Sequence, residues 1–378
     1  MSWPTVRLEE MTERARSITY GVVKPGPEDN ENGVRFVRGG DIKDGKIAIG
    51  SLRTITEAVS KPYSRTLLRG GEILVSLVGN PGEAAVVPDE LAGANIARQA
   101  GMIALRPEFN AKFVEYFLRS PKGRSELFQR TKGSVQQVIN LADLKTVQVP
   151  QPNEVVQKRI ALILATYDDL IENNRRRIAL LEEAARLLYR EWFVHFRFPG
   201  HEHVKTIDGV PEGWTPTTIG EHCPLVYGKA LKADTRISGD CDVYGSSGIV
   251  GSHNKNLVSG PAIVVGRKGN VGSIFWARRD FWPIDTVYYV SPENSDFYTY
   301  YALQHVTFIN TDVAVPGLNR DFAHSRKLLI PTDALLEGFH AQVEPIQAQI
   351  GLLQRQTNEL AKARDLLIPR LMDGRLEI

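Results

Sequence analysis

Two short glycine-bounded turns carry side chains suited to gripping a polar ligand. Val78-Gly79-Asn80-Pro81-Gly82 and Gly266-Arg267-Lys268-Gly269-Asn270 each follow an apolar run directly. Glycine lets a backbone approach a phosphate or a base edge, while Asn80, Asn270, Arg267 and Lys268 can donate hydrogen bonds to either. The same composition also serves a plain hairpin turn. The Arg267-Lys268 pair weighs against that alternative in the second turn.

Further candidates share the pattern of glycine beside hydrogen-bonding side chains. Lys132 precedes Gly133-Ser134-Val135-Gln136-Gln137. Glutamine pairs well with adenine in the major groove, and lysine with phosphate or guanine. A solvated loop would look the same. Arg38-Gly39-Gly40-Asp41-Ile42-Lys43 and Tyr244-Gly245-Ser246-Ser247-Gly248 occupy similar early places in their halves of the chain. A nucleic-acid-binding loop would use Arg38, Lys43, Tyr244, Ser246 and Ser247. Arg98-Gln99 and Asp285-Thr286 flank late strands, where contacts or ordinary strand edges both fit. Asn140 and Asn319 read as helix caps. Arg175-Arg176-Arg177 is either a solvated helix face or a contact with spacer phosphates or a partner's acidic patch.

Catalytic and metal patterns are wanting. No GxxxxGK[ST] loop is present, so ATP hydrolysis by that route is excluded. Asn80-Pro81-Gly82 lacks the aromatic of the amino-methyltransferase motif, and no glycine-rich loop suits S-adenosylmethionine. Pro88-Asp89 is not followed by the Glu-x-Lys of a metal-dependent nuclease. His201, His203, His222 and Cys223 match no strong zinc spacing. The expectation is a chain with no catalytic, cofactor or metal site of its own.

These turns need elements to position them. Residues 1–150 read as a mixed α/β block with strands at Arg35–Arg38, Lys46–Leu52, Glu72–Val78, Ala84–Val87 and Gly101–Leu105 and helices at Asn110–Arg119 and Gly123–Arg130. The stretch Gln157–Phe198 contains no Pro or Gly and reads as one long helix, ended by Pro199-Gly200. Its apolar seam runs through Ile160, Ile163, Tyr167, Leu170, Ile178, Leu181, Ala185, Leu188 and Trp192, interrupted by Asn174, which fixes register. At 1.5 Å per residue, about 40 residues make a rod of ~60 Å.

After a short linker the pattern recurs. Strands are expected at Asp242–Tyr244, Ala262–Val265, Ser273–Trp276 and Thr286–Val290, and a helix at Asp296–His305. A second long helix follows from about Leu335 to Met372, with Phe339, Val343, Ile346, Ile350, Leu353, Leu360, Leu367 and Leu371 on its seam. Pro345 predicts a kink or a restart in it, and Pro369 a frayed end. The order block, helix, block, helix is an internal repeat. GEILVSLVGNPG (71–82) matches GPAIVVGRKGNVG (260–272), ITYG (18–21) matches LVYG (225–228), and the segments holding Asn140 and Asn319 match. The parts are 1–152, 153–198, 199–333 and 334–378. Two copies related by a pseudo-twofold would pack their helices as an antiparallel coiled coil. The rod would then hold two recognition surfaces a fixed distance apart, a ruler on the scale of B-DNA half-sites.

Bulk properties bound this reading. The 378 residues carry a net charge of +2, with 42% apolar and 24% charged residues. Residues 1–150 hold 21 Lys+Arg against 17 Asp+Glu, while 199–333 hold 12 against 14. A protein that wrapped DNA alone would be more basic, so if this chain binds DNA, either local patches or partner subunits supply much of the phosphate attraction. No apolar run reaches membrane-spanning length, the N-terminal stretch is polar, and two cysteines, Cys223 and Cys241, build no disulfide framework. A reducing cytoplasm is the natural setting.

Along its whole length the chain resembles the specificity subunit of type I restriction–modification systems. The resemblance rests on the NNRRRIALLEE core of the first helix, the C-terminal LLIPRLMDGRL, the GNPG and GRKGNVG turns and the block–helix order. It implies two mixed α/β target-recognition domains, each reading half of an asymmetric bipartite site in double-stranded DNA. It implies helices that set the spacer and dock two methyltransferase subunits, Arg175–Arg177 included, with motor–nuclease subunits joining. S-adenosylmethionine, ATP and Mg²⁺ would then belong to those partners.

Overall fold

A computed structural model of the chain describes residues 3–29, 31–128, 138–308 and 317–376. It consists of two compact units, Met1–Asn173 with Thr357–Ile378 and Asn174–Gln356. Each unit therefore takes one α/β block and a stretch of both long helices.

In the first unit the central antiparallel sheet has the order Thr19–Tyr20, Ala100–Ile103, Ile73–Ser76, Ala84–Val86. A smaller sheet places Val34–Val37 between Arg53–Ile55, antiparallel, and Asn95–Ile96, parallel. Thr5–Arg7 pairs with Gln148–Pro150, closing the block just before the first long helix. The strand Ile73–Ser76, three apolar residues and a serine, is buried on both faces. Ile73 and Val75 face Phe113 and Phe117 of the helix Ala111–Arg119, while Leu74 joins Val37, Ile42 and Met102. Alternate side chains of a strand point to opposite faces, so one run feeds two cores. Asn110 caps that helix by accepting from the Phe113 amide at 2.9 Å.

The second unit repeats this plan. Its sheet order is Leu225–Tyr227, Val287–Val290, Ala262–Gly266, Ile274–Ala277. Cys241–Gly245 lies between Gly248–His253, antiparallel, and Phe281–Pro283, parallel. Thr215–Thr218 pairs with Lys327–Ile330 ahead of the second long helix. Asp296 and Asn319 cap the helices Phe297–His305 and Arg320–His324. Asn140 stands at the matching N-cap of Leu141–Lys145, but its side chain bonds Asp143 instead of the backbone.

The long helices run Glu154–Tyr189 and Asp333–Met372. In the first unit Ile160 and Leu164 share a core with Ile368 and Leu371, and Arg364 Nη1 meets Asp168 Oδ1 at 2.6 Å. In the second, Trp192 lies against Gly338 and Phe339, and Val343 shares a core with Ala185 and Tyr189. Within each unit the pair is antiparallel.

The strand expected at Lys46–Leu52 is confined to Lys46–Ile47 and gives way to a helical turn at Ile49–Ser51. Three details of the long helices also differ from the sequence expectation. The buried seam of the first helix is centred on Leu164 and Ile171; Ile163 packs against the same core only partly buried, and Leu170 is 45% exposed. Adjacent apolar pairs at 163–164 and 170–171 make the phase ambiguous from sequence. With the phase corrected, Asn174 falls on the seam at regular spacing and is 8% exposed. The α-helix also stops at Tyr189 and opens into a wide turn at Arg190–Val194, with the His195 amide reaching Arg190 O at 2.9 Å. Phe196 and Phe198 then fold back on Trp214, and this aromatic packing overrides helical propensity before Pro199 is reached. Finally, Pro345 neither breaks nor restarts the second helix, and Pro369 lies inside it. Ala341 and Pro345 are exposed, so water can serve the carbonyl that the missing N–H leaves bare.

Candidate nucleic-acid interface

The glycine turns are built by the same backbone bonds in both units. In the first, the Leu77 amide donates to Gln99 O at 2.8 Å, the Gly82 amide to Ser76 O at 2.9 Å, and the Ile139 amide to Leu77 O at 3.0 Å. In the second, Arg267 donates to Thr286 O at 2.9 Å, Gly272 to Gly266 O at 2.9 Å, and Leu318 to Arg267 O at 2.8 Å. Gly79 and Gly269 hold φ of +93° and +80°, a region that costs any residue with a Cβ. The matching tyrosines Tyr20 and Tyr227 precede Gly21 and Gly228. A Cβ on either glycine would fall 1.9 Å from Ile96 O or 2.1 Å from Ile284 O.

Around the first turn the fold gathers residues far apart in sequence. A Cβ at Gly39 would lie 2.8 Å from Gln99 O and 3.0 Å from Val78 O, so Arg38–Gly39, Val78–Asn80 and Arg98–Gln99 form one cluster. Asn80, Arg98 and Gln99 are exposed. Arg38 is half-buried and bound in a fork by Asp41, with Nε–Oδ2 3.1 Å and Nη2–Oδ1 2.8 Å. Those hydrogen bonds lead a rise of its pKa above the ordinary arginine value. Lys43 is exposed on the hairpin Ile42–Ile47, whose Lys46 pairs with Glu172 of the first long helix. Lys132, Ser134, Gln136 and Gln137 lie outside the described residues.

The second cluster has different chemistry on the same frame. Ser246 O accepts from Ser273 Oγ at 2.7 Å, and a Cβ on Gly269 would lie 3.2 Å from Ser246 Oγ. Ser246–Ser247 thus adjoins the Arg267–Asn270 turn. Ser247, Lys268 and Asn270 are exposed. Lys268 Nζ lies 4.0 Å from the Asp285 carboxylate, an exposed pair worth little in stability. Arg267 Nη1 donates to Asp285 O at 3.1 Å, and its guanidinium sits 5.0 Å from the Tyr227 ring centroid. Arg320 sits 5.0 Å from the same ring.

Tyr244 is withdrawn from the set of contact residues. Its ring is 7% exposed and packs on Phe275 and Phe281, leaving no face for a ligand. Sequence reasoning missed Tyr20, Tyr227 and Arg320 as contact candidates. The repeated tetrapeptides ITYG and LVYG were the available signal for the tyrosines, which are 47% and 46% exposed. Nothing local marks Arg320.

Elsewhere, Arg175, Arg176 and Arg177 are exposed on the first long helix, just past Asn174. His201 and His203 share one short turn, His222 Nε2 lies 3.1 Å from Thr299 Oγ1, and Cys223 is buried among apolar side chains. Burial pushes the Cys223 thiol up to about 12. Among the described residues no His, Cys, Asp or Glu group is placed to hold a metal ion, and no helix is long and apolar enough to cross a membrane.

One α/β plan thus occurs twice, and each copy presents a glycine turn ringed by polar and basic side chains. The chain belongs to the family of the type I restriction modification DNA specificity domain, whose sequence model matches residues 2–183 and again 211–331. It is 25% identical over 370 residues to the type I restriction enzyme MjaIX specificity subunit of Methanocaldococcus jannaschii, covering 86% of this chain and 82% of that one. It is 33% identical over 178 residues to the EcoBI specificity subunit of Escherichia coli, across 45% of this chain and 36% of that one. The crystal structure of the type I restriction–modification S subunit from M. genitalium has the same fold, with a TM-score of 0.58, 18% identity, and coverage of 98% of this chain and 96% of that one. The chain is thus a DNA-sequence-recognition subunit, not an enzyme.

Proposed function

We propose that each unit reads one half of an asymmetric, bipartite site in double-stranded DNA. The observation that carries this is one turn built twice with different side chains. Leu77-Val78-Gly79-Asn80 with Arg98-Gln99 stands where the other unit has Arg267-Lys268-Gly269-Asn270 with Asp285-Thr286. A common frame with unlike donors and acceptors reads unlike base sequences. The two long helices set the unread spacer and dock two methyltransferase subunits, with Arg175–Arg177 on the docking face. Motor–nuclease subunits join the complex in the cytoplasm. S-adenosylmethionine, ATP and Mg²⁺ serve those partners, and this chain contributes recognition. Its net charge of +2 accords with a DNA clamp whose basic surface is shared among subunits.

The test is to co-express the chain with the methylating subunit of its own system and map methylated adenines. A two-part motif with a fixed gap and unlike halves is expected. A contiguous motif, or methylation without sequence preference, would sink the proposal.

A further inference from the structure

The Arg267 guanidinium is held more firmly than a phosphate contact requires. Its backbone is tied on both sides, by Thr286 O at 2.9 Å and by the Leu318 amide at 2.8 Å. Leu318 is itself anchored, because its carbonyl accepts from the buried Tyr288 hydroxyl at 2.8 Å. The side chain gives one Nη1 hydrogen to Asp285 O at 3.1 Å. Its planar head lies 5.0 Å from the Tyr227 ring and 5.7 Å from the Tyr288 ring. Asp285 O and the Tyr288 side chain, to which Arg267 also hydrogen-bonds, take part of the fork, and the rest keeps its N–H groups at a fixed orientation. Arg320 reaches the same Tyr227 ring from the start of another helix, and exposed Lys268 follows next in the chain.

These roles divide by rigidity. A phosphate oxygen accepts a cation from many directions, which suits the exposed Lys268 and Arg320. A bidentate contact to guanine O6 and N7 needs a planar fork aimed in advance, and only a side chain locked by its surroundings provides that aim. In the first unit Leu77 is apolar and buried at the matching place, so this device belongs to one unit alone.

We propose that Arg267 is the residue through which the second unit discriminates a G·C pair, with Tyr227 as a positioning residue that holds its fork. This rests on the reading of that unit as a half-site reader. The test uses the full chain co-expressed with its methylating subunit, with methylated motifs mapped across a plasmid library. The half-site in question is the one that changes when residues 199–333 are exchanged for another block.

That half-site is expected to contain an invariant G·C pair. Arg267→Ala and Arg267→Lys should lower discrimination at that pair by about 10- to 100-fold, with the other half-site and the gap unchanged. Tyr227→Ala should relax the same pair, and Tyr227→Phe should restore it. If Arg267→Ala does not fold, Arg267→Lys decides, because it keeps the charge and loses the fork. A half-site without a fixed G·C pair overturns the assignment. So does unaltered discrimination in the Lys variant, or a uniform loss of methylation at every sequence. If the unaltered chain yields no bipartite motif, the half-site reading itself fails first. A bipartite motif that ignores Arg267 defeats this assignment alone.

Discussion

At the scale of single residues, the two clusters show how one backbone supports different recognition chemistry. Lys268 is exposed beside a weak partner, the Asp285 carboxylate 4.0 Å away. Lys268→Ala should therefore weaken DNA binding about equally for all sequences and reduce the slope of log K against log salt by about 1. Titration of the assembled methyltransferase against cognate and non-cognate duplexes at several salt concentrations measures both effects. Gly269 plays a different part. Its φ of +80° is disfavoured for a residue with a Cβ, and Ser246 Oγ stands 3.2 Å from where that atom would go. Gly269→Ala should cost about 1 kcal/mol and displace the turn. Thermal melting should fall modestly, while recognition of one half-site falls far more.

At the scale of elements, each block is fastened to a long helix by a polar rung in an apolar seam. In the first unit Asp168 accepts from the Tyr116 hydroxyl at 2.7 Å and from Arg364 at 2.6 Å, so one carboxylate joins the block's helix to both long helices. Arg119 adds a contact at 3.9 Å and pairs with the fully buried Glu115 at 2.8 Å. The long helices begin at Glu154 and Asp333, and the same 179-residue offset takes Asp168 to Gln347. Gln347 bonds the Tyr301 hydroxyl at 2.5 Å and Arg278 at 2.6 Å. The rung is ionic in one unit and has a neutral amide at its centre in the other. Asp168→Ala would leave Arg364, 14% exposed, with only the exposed Asp365 carboxylate that it already holds at 2.8 Å. A loss of about 1–3 kcal/mol is expected. Adding Arg364→Ala to that variant should then cost less than Arg364→Ala alone, and denaturant titrations of the three variants would show it. Equal costs would mean the pair is not coupled.

At the scale of the molecule, the two helices and the two reading units carry separable properties under the proposed function. One heptad inserted in matching places of both helices adds about 10 Å, or roughly three base pairs. The unread gap in the methylated motif should lengthen by that amount and both half-sites should stay the same. Altered half-sites with an unchanged gap would refute the role of the helices as spacer. A seven-residue insertion preserves the 3–4 spacing of Ile160, Leu164, Tyr167, Ile171 and Asn174, so the seam survives it.

The features legible in the sequence are those set by neighbouring residues. Apolar periodicity gave both long helices, glycine bracketing gave the turns at Gly79 and Gly269, and similarity between halves gave the repeat. Each depends on backbone preferences within a few residues. The seam's phase did not follow, because Ile163-Leu164 and Leu170-Ile171 satisfy two registers and only the partner helix chooses. Tyr244 looked like a loop contact because its neighbours are Gly and Ser, but Phe275 and Phe281 draw its ring inward. The meeting of Tyr227, Arg267 and Arg320 has no local sign, since the sheet and the Leu318 bond bring together three segments distant in sequence. The sequence by itself determined that one reading unit occurs twice. The tertiary structure decided which side chains share a point in space, because that depends on long-range packing and not on local propensity.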